Sequence, residues 1–196
     1  NQVVYRNTAH ENDLICVTGD LGAAYMGLQL LSREKKIFQE NPSIQPDLSG
    51  YDYLLERQLK PEARKDIIEQ LKQAGIKPTA MIDISDGLAS ELFHICTQSG
   101  KGCRIRENRI PVDVKTAELA EEFNIHPVTC ALNGGEDYEL LFTISPADLE
   151  KVKALKDVSV IGHITGKEEG LKMEDPSGHP IELKAQGWDA FFRKNK

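Results

Sequence analysis

Asp83, Ser85 and Asp86 stand together in the stretch Met81-Ile82-Asp83-Ile84-Ser85-Asp86-Gly87-Leu88. Two carboxylates and a hydroxyl at this spacing offer oxygen donors to a hard cation such as Mg²⁺, which keeps waters and bridges to phosphate. The apolar run Thr79-Ala80-Met81-Ile82 ahead of them reads as a short buried strand. Behind them Leu88, Leu92, Ile95 and Cys96 fall on one face of a helix. The polar residues therefore sit on a strand-to-helix turn, where rigid elements hold an open tip. The helix N-terminus adds free N–H groups and a positive dipole end, which favour an anion. Capping of the helix by Ser85 or Asp86 is the simpler role. One residue suffices for a cap, and three polar residues followed by Gly87 exceed that need.

A second polar tip, Asn133-Gly134-Gly135-Glu136-Asp137, precedes the strand pattern Tyr138 to Ile144. An ordinary turn with solvated Glu136 and Asp137 would read the same way. A third strand, Leu14 to Val17, runs through Thr18-Gly19-Asp20-Leu21-Gly22 into a helix from Ala23 to Ser32, with Leu28 and Leu31 facing inward. That turn lacks the full G-x-G-x-x-G spacing, and close backbone packing explains Gly19 and Gly22 equally well. Other motifs fail. Gly162 to Lys167 is too short for a P-loop, with Glu168 where Ser or Thr belongs. Gly87 falls one position early for an EF-hand loop, and His94 stands where that loop needs Glu. There is no H-x-x-x-H pair, no G-x-S-x-G elbow and no cysteine nucleophile beside a placed histidine, so nothing supports covalent catalysis.

The elements that must hold these tips can be read in order. Lys35 to Tyr53 is polar, contains Pro42 and Pro46, and reads as a surface insertion or loop. A helical turn or two follows over Tyr53 to Leu59. Pro61 opens a helix through Ile67, Ile68 and Leu71, and Gly75 ends it. Cys103 to Ile105 and Val158 to Ile161 read as strands, and Thr116 to Phe123 as a helix. Another helix starts at Ser145-Pro146. Gly162 to Gly166 leads into a polar turn, and Gly178-His179-Pro180 lies in another. Helices alternate with strands while some connections look like hairpins. The fold class expected is α+β, a mixed β-sheet with packed helices.

The chain of 196 residues is long enough to bury a core without disulfides. Hydrophobic residues at 40% and charged ones at 28% are ordinary for a globular protein. A net charge of -7, from 24 basic and 31 acidic residues, weighs against nucleic acid or an anionic membrane as main partner. No stretch reaches the ~20 apolar residues of a membrane helix. Cys16, Cys96, Cys103 and Cys130 form no C-x-x-C pair and lie in apolar patterns, so they read as reduced core residues of a cytoplasmic protein. The chain opens at Asn1 with no signal-peptide pattern, and reads as a piece cut from a longer protein.

Taken together, the motifs resemble the thiamine-monophosphate kinases, which belong with aminoimidazole ribonucleotide synthetase and selenophosphate synthetase. The match rests on Ala80 to Leu88 and on Gly134-Gly135-Glu136-Asp137-Tyr138-Glu139-Leu140-Leu141-Phe142. Asp13 to Leu21, Val160-Ile161-Gly162 with Ile164, and Gly187-Trp188-Asp189 support it, in family order over nearly the whole chain. The resemblance implies ATP-dependent phosphorylation of thiamine monophosphate to thiamine diphosphate with several Mg²⁺ ions. It implies that Asp83 and Asp86 hold Mg²⁺, and that Ser85 and Arg6 contact ATP. Glu136 and Asp137 would lie at the substrate end, one of them touching thiamine phosphate, with Trp188 against the thiamine rings. An aromatic face suits a cationic thiazolium, and a lone Trp also serves as a core anchor. Asn7-Thr8-Ala9 departs from the usual Ser-Gly-Ala after the arginine, so Arg6 could equally be a surface residue. The resemblance further implies that residues 1-11 lead in from a missing N-terminal domain. Residues 12-196 would form the C-terminal α+β domain, with the polar insertion near 35-53. The full-length protein would be a homodimer, and the isolated chain inactive. Another ATP-using enzyme of the superfamily, of the purine-pathway synthetase type, or a non-catalytic nucleotide-binding domain are the alternatives.

Overall fold

The computed structural model describes residues 3–184. Its strands are β1 (Leu14–Thr18), β2 (Ala80–Asp83), β3 (Gly102–Arg106), β4 (Leu140–Ile144), β5 (Val158–Thr165), β6 (Leu171–Glu174) and β7 (Pro180–Glu182). They form one seven-stranded sheet in the order β2-β4-β1-β5-β3-β6-β7. The β3–β6 pair is parallel and the other neighbours are antiparallel, so the sheet is mixed, as the sequence predicts. One consequence places the functional tips. β1 and β2 both run antiparallel to β4, so both end where β4 begins. The turns after Thr18 and Asp83, and the loop before Leu140, therefore gather at one end of the sheet.

The helices are α1 (Ala23–Glu40), α2 (Asp52–Leu59), α3 (Lys65–Gln73), α4 (Leu88–Ser99), α5 (Val114–Glu122), α6 (Pro127–Asn133) and α7 (Leu149–Lys153). Strand alternation sorts the core into two faces. Ile15, Val17, Ala80, Leu141 and Ile161 pack against Leu88, Leu92, Ile95 and Cys96 of α4. Each fully buried aliphatic side chain there contributes roughly 1.5–3 kcal/mol. Cys16, Phe142 and Ile144 pack on the other face against Ile67 and Leu71 of α3 and Val152 of α7. A third cluster joins α1, α2, α5 and α6 through Met26, Leu30, Leu54, Leu119 and Cys130. All four cysteines are buried and free. Among the described residues no helix is long and apolar enough to cross a membrane.

Several boundaries differ from the sequence reading. Lys35 to Glu40 is the exposed end of α1, not a loop. No Gly or Pro interrupts that stretch, and Lys36 pairs with Glu40 one turn on. Leu28 is 43% exposed, because the buried stripe of α1 runs through Ala23, Met26, Gly27, Leu30 and Glu34. Pro61 lies ahead of α3, which begins at Lys65. Gly162 to Thr165 continue β5, where a bulge opposite Ile15 and Cys16 absorbs one extra residue. The helix α6, with Pro127 at its first turn, stands directly before the Gly134-Gly135 tip.

Gly27 is where α1 meets α2. A Cβ there would overlap the carbonyl oxygen of Leu54. Helix propensity alone favours Ala over Gly by ~1 kcal/mol, so Gly27→Ala sets propensity against packing. Packing is expected to win, with a net destabilisation of about 1–3 kcal/mol. A urea titration decides the sign, and a stabilised variant would refute the close helix contact.

Candidate active site at the shared strand end

The two polar tips meet backbone to backbone. Ile84 N–H donates to Glu139 O at 2.7 Å, Tyr138 N–H to Ile84 O at 2.9 Å and Glu136 N–H to Ser85 O at 2.9 Å. These bonds carry the β2–β4 ladder on past its last pair, Asp83 with Leu140. The approach leaves no room for side chains. A Cβ on Gly135 would overlap the Ser85 carbonyl, and one on Gly87 would lie 2.7 Å from the Leu132 carbonyl oxygen. Gly87 also adopts φ 101°, a conformation other residues rarely take.

Asp83, Asp86 and Glu136 are exposed at this corner, and Ser85 is half-buried. Capping is not their role. Gly87 occupies the N-cap of α4, and no side chain caps it. Glu91, in the first turn of α4 and 2% exposed, reaches back instead. Its Oε1 accepts from Asp86 N–H at 3.0 Å, with longer contacts of 3.4 Å to Ser85 N–H and Oγ. Burial raises the Glu91 carboxyl above the usual range, against the pull of the Asp86 N–H. Glu136 at φ 70° and Tyr138 at φ 51° both hold left-handed backbone, a strained state that persists when the surroundings enforce it. Tyr138 OH donates to Glu136 Oε2 at 3.0 Å. That bond and the Glu136 charge push the phenol pKa up, and the carboxylates of Asp83 and Asp86 push the same way. One acidic field thus covers all four residues.

Of the two acids expected at the substrate end, one of them touching substrate, Asp137 is the buried one. It is 2% exposed, and its carboxylate accepts from Gly22 N–H at 2.8 Å and Ala24 N–H at 3.3 Å. It caps the N-terminus of α1, whose dipole favours the negative charge. A carboxylate spent in this way is closed to a ligand, which leaves Glu136 as the exposed acid of the pair. Burial is the largest influence on Asp137 and pushes its pKa up to about 7, although Gly22 N–H and Arg57 oppose it.

Glu139, also 2% exposed, fastens the root of the same loop. It receives Arg57 Nη1 at 2.8 Å, Arg64 Nη1 at 2.7 Å and the hydroxyl of Thr18. Arg57 Nη2 also donates to Asp20 O at 3.0 Å, and Tyr53 OH to Asp20 Oδ2 at 2.5 Å. Sequence reasoning missed Glu91, Glu139, Arg57 and Arg64. The available signal was charge inside apolar patterns: Glu139 within Tyr-Glu-Leu-Leu-Phe, and Glu91 on the apolar side of α4.

Arg6 does not join this corner. Its Nε donates to Gln98 Oε1 at 2.9 Å, near the C-terminal end of α4. Gln98 stands ten residues beyond Leu88, about 15 Å along a helix at ~1.5 Å per residue. The lead-in is tied to the start of β2 by Met81 N–H to Tyr5 O and by Thr8 Oγ1 to Thr79 O. That contact fixes Arg6 away from Ser85. Trp188 lies outside the described residues.

Asp83 and Asp86 are exposed oxygen donors that cap no helix. Among the described residues no three His, Cys, Asp or Glu side chains converge on one point. A pair of carboxylates fits Mg²⁺ held jointly with phosphate oxygens and water, and does not fit an all-protein cage.

The raised pKa of Asp137 fixes a pH dependence. An unfolded Asp titrates near ~3.9, and the folded one at about 7. Between those values the folded protein keeps a proton that the unfolded chain has lost, so stability falls as pH rises through this window and levels off above it. Asp137→Asn removes this contribution. In urea melts from about pH 4.5 to about pH 8, the stability of wild type relative to the variant is expected to fall by a few kcal/mol. A difference that stays constant with pH would mean that Asp137 is ionised throughout.

Residues 11–173 match the model of the family described as AIR synthase related protein, C-terminal domain. The thiamine-monophosphate kinase of Buchnera aphidicola subsp. Schizaphis graminum is 40% identical over 95% of this chain and 55% of its own length. The chain thus spans about half the length of the curated relatives it matches. Among solved structures, AaThiL complexed with AMPPCP and TMP aligns at 29% identity with a TM-score of 0.78, covering 96% of this chain and 54% of that one. Thiamine-monophosphate kinase from Stenotrophomonas maltophilia K279a aligns at 28% identity with a TM-score of 0.73, covering 94% of this chain and 55% of that one. With the family model matched across both interlocked loops, the chain belongs to the AIR synthase related proteins, as their C-terminal domain.

Proposed function

We propose that this chain forms the C-terminal half of a thiamine-monophosphate kinase site, in a protein that transfers the γ-phosphoryl group of ATP to thiamine monophosphate. The observation that carries the reading is the backbone lock between the two loops, which holds exposed Asp83, Asp86 and Glu136 at one corner. The names of the relatives support it, as does the neighbour solved with AMPPCP and TMP.

In this reading Asp83 and Asp86 hold Mg²⁺, which supplies charge neutralisation on the phosphates. Ser85 meets the nucleotide through a hydroxyl that makes a long 3.4 Å contact to Glu91. Glu136 faces the thiamine phosphate end, oriented by the Tyr138 hydroxyl. No side-chain nucleophile is required, because phosphoryl transfer depends on positioning and electrostatics. The transfer is direct and in line. Residues 1–11 lead in from an N-terminal domain that supplies the remaining ligands, and residues 12–196 are the C-terminal domain. The full-length protein acts as a cytoplasmic homodimer, and the isolated chain is inactive.

The test uses the full-length protein and measures ADP release dependent on thiamine monophosphate, across a Mg²⁺ titration. Asp83→Asn and Asp86→Asn are each expected to lower kcat by about 100-fold or more. A bound metal is worth several kcal/mol of transition-state stabilisation, and each ~1.4 kcal/mol is a factor of ten. Turnover that survives both substitutions would remove the metal-ligand assignment. Turnover of an aminoimidazole precursor with no response to thiamine monophosphate would replace the kinase by the purine-pathway alternative.

A further inference from the structure

Away from the strand end, a cleft of about 690 Å³ opens between β3, β5 and α7. It shares no residue with the loops described above. Its lining includes Arg104, Arg106 and Arg109, and Lys153 on the opposite bank, against a single carboxylate, Glu174. Arg104 and Arg106 are two apart on β3 and so share one face of the sheet. Arg109 follows in the short turn after that strand, and Lys153 closes α7. His163 stands opposite Arg104 across the β3–β5 pair. Half-buried Leu14, Leu149 and Val160 supply an apolar floor.

We propose that this cleft binds a small organic phosphate, with its phosphoryl oxygens on the arginines and its apolar part on the Leu14, Leu149 and Val160 floor. The volume lies within the range of small-molecule sites. Four cations in one cleft stand out against a chain of net charge -7, and a cleft lined by one sign of charge concentrates the opposite ion. Guanidinium groups match phosphate geometry with paired N–H donors. Glu169 and Glu174 brace Arg104 at 3.1 and 3.5 Å, and Glu174 lies 3.4 Å from Arg106 Nε. Glu150 lies 2.7 Å from Lys153 Nζ, so three carboxylates stand against the four cations, and Arg109 has no ion-pair partner among the described residues. The Nε–H of Arg104 is buried and finds no acceptor among the described residues.

Arg109 and Lys153 are exposed, so replacing them leaves the fold intact. The experiment titrates inorganic pyrophosphate, ADP and adenosine into full-length protein carrying Asp83→Asn and Asp86→Asn, by calorimetry, with and without Arg109→Gln and Lys153→Gln. A crystal structure with pyrophosphate locates the bound ion. The expected result is pyrophosphate in the cleft, ADP binding more tightly than pyrophosphate, adenosine alone not binding there, and at least tenfold weaker pyrophosphate binding after Arg109→Gln and Lys153→Gln. Binding should also weaken as salt is raised. Pyrophosphate binding unchanged by the two substitutions, or none in the cleft, overturns the proposal. Thiamine monophosphate kinase turnover of the otherwise native protein is expected to be unchanged by Arg109→Gln and Lys153→Gln. The cleft and the kinase reading therefore fail separately.

Discussion

The carbonyl of Ser85 and the Cα of Gly135 occupy adjoining space, and a methyl group cannot stand between them. Three backbone hydrogen bonds cross this contact and extend the sheet beyond its regular strands. Everything placed at the shared strand end depends on that closeness. It sets Glu136 against the turn that carries Asp83 and Asp86, and it carries the left-handed backbone of Glu136 and Tyr138. Gly87 meets the end of α6 in the same way, so α6, both loops and α4 are clamped at one point. The strain in those residues is held by surroundings that over-determine it.

Six carboxylates lie in or beside these loops, and they divide by burial. Glu91, Asp137 and Glu139 are each 2% exposed and work as fasteners. Glu91 binds the backbone of the Asp83 turn, Asp137 caps α1, and Glu139 draws Arg57 and Arg64 onto the root of the second loop. Of the three only Glu139 sits in a close ion-pair network, and its loss would leave Arg57 and Arg64 without the carboxylate they share, a change of the kind that costs about 3–5 kcal/mol. Asp83, Asp86 and Glu136 bear none of that load. Backbone bonds and buried fasteners hold the loops that carry them.

The division explains what could be read in advance. The mixed sheet, the strand-to-helix turn and the apolar face of α4 follow from local pattern, and Leu88, Leu92, Ile95 and Cys96 all face the core as their spacing predicts. The placement of Glu136 and Asp137 did not follow. They are neighbours of similar chemistry, and only the left-handed backbone on either side of Asp137 turns one outward and the other onto the Gly22 and Ala24 N–H groups. Burial of Glu139 was equally hidden, since its partners Arg57 and Arg64 come from a distant, polar part of the chain. Leu28 misled for a related reason. The inward stripe of α1 is set by the docking of α2 at Gly27, a contact between segments that no helical period encodes.

The exposed acidic corner carries its own requirement. The hydrogen bond to Glu136 and, after it, the charges of Glu136, Asp83 and Asp86 raise the Tyr138 phenol pKa, and three acids at one corner disfavour an anion that approaches alone. A nucleotide phosphate is such an anion. Two carboxylates are too few to cage a bare divalent ion, yet they suit one already carried by phosphate oxygens. On the proposed reading, metal and nucleotide therefore reinforce one another at Asp83 and Asp86, each offsetting the charge that repels or underbinds the other.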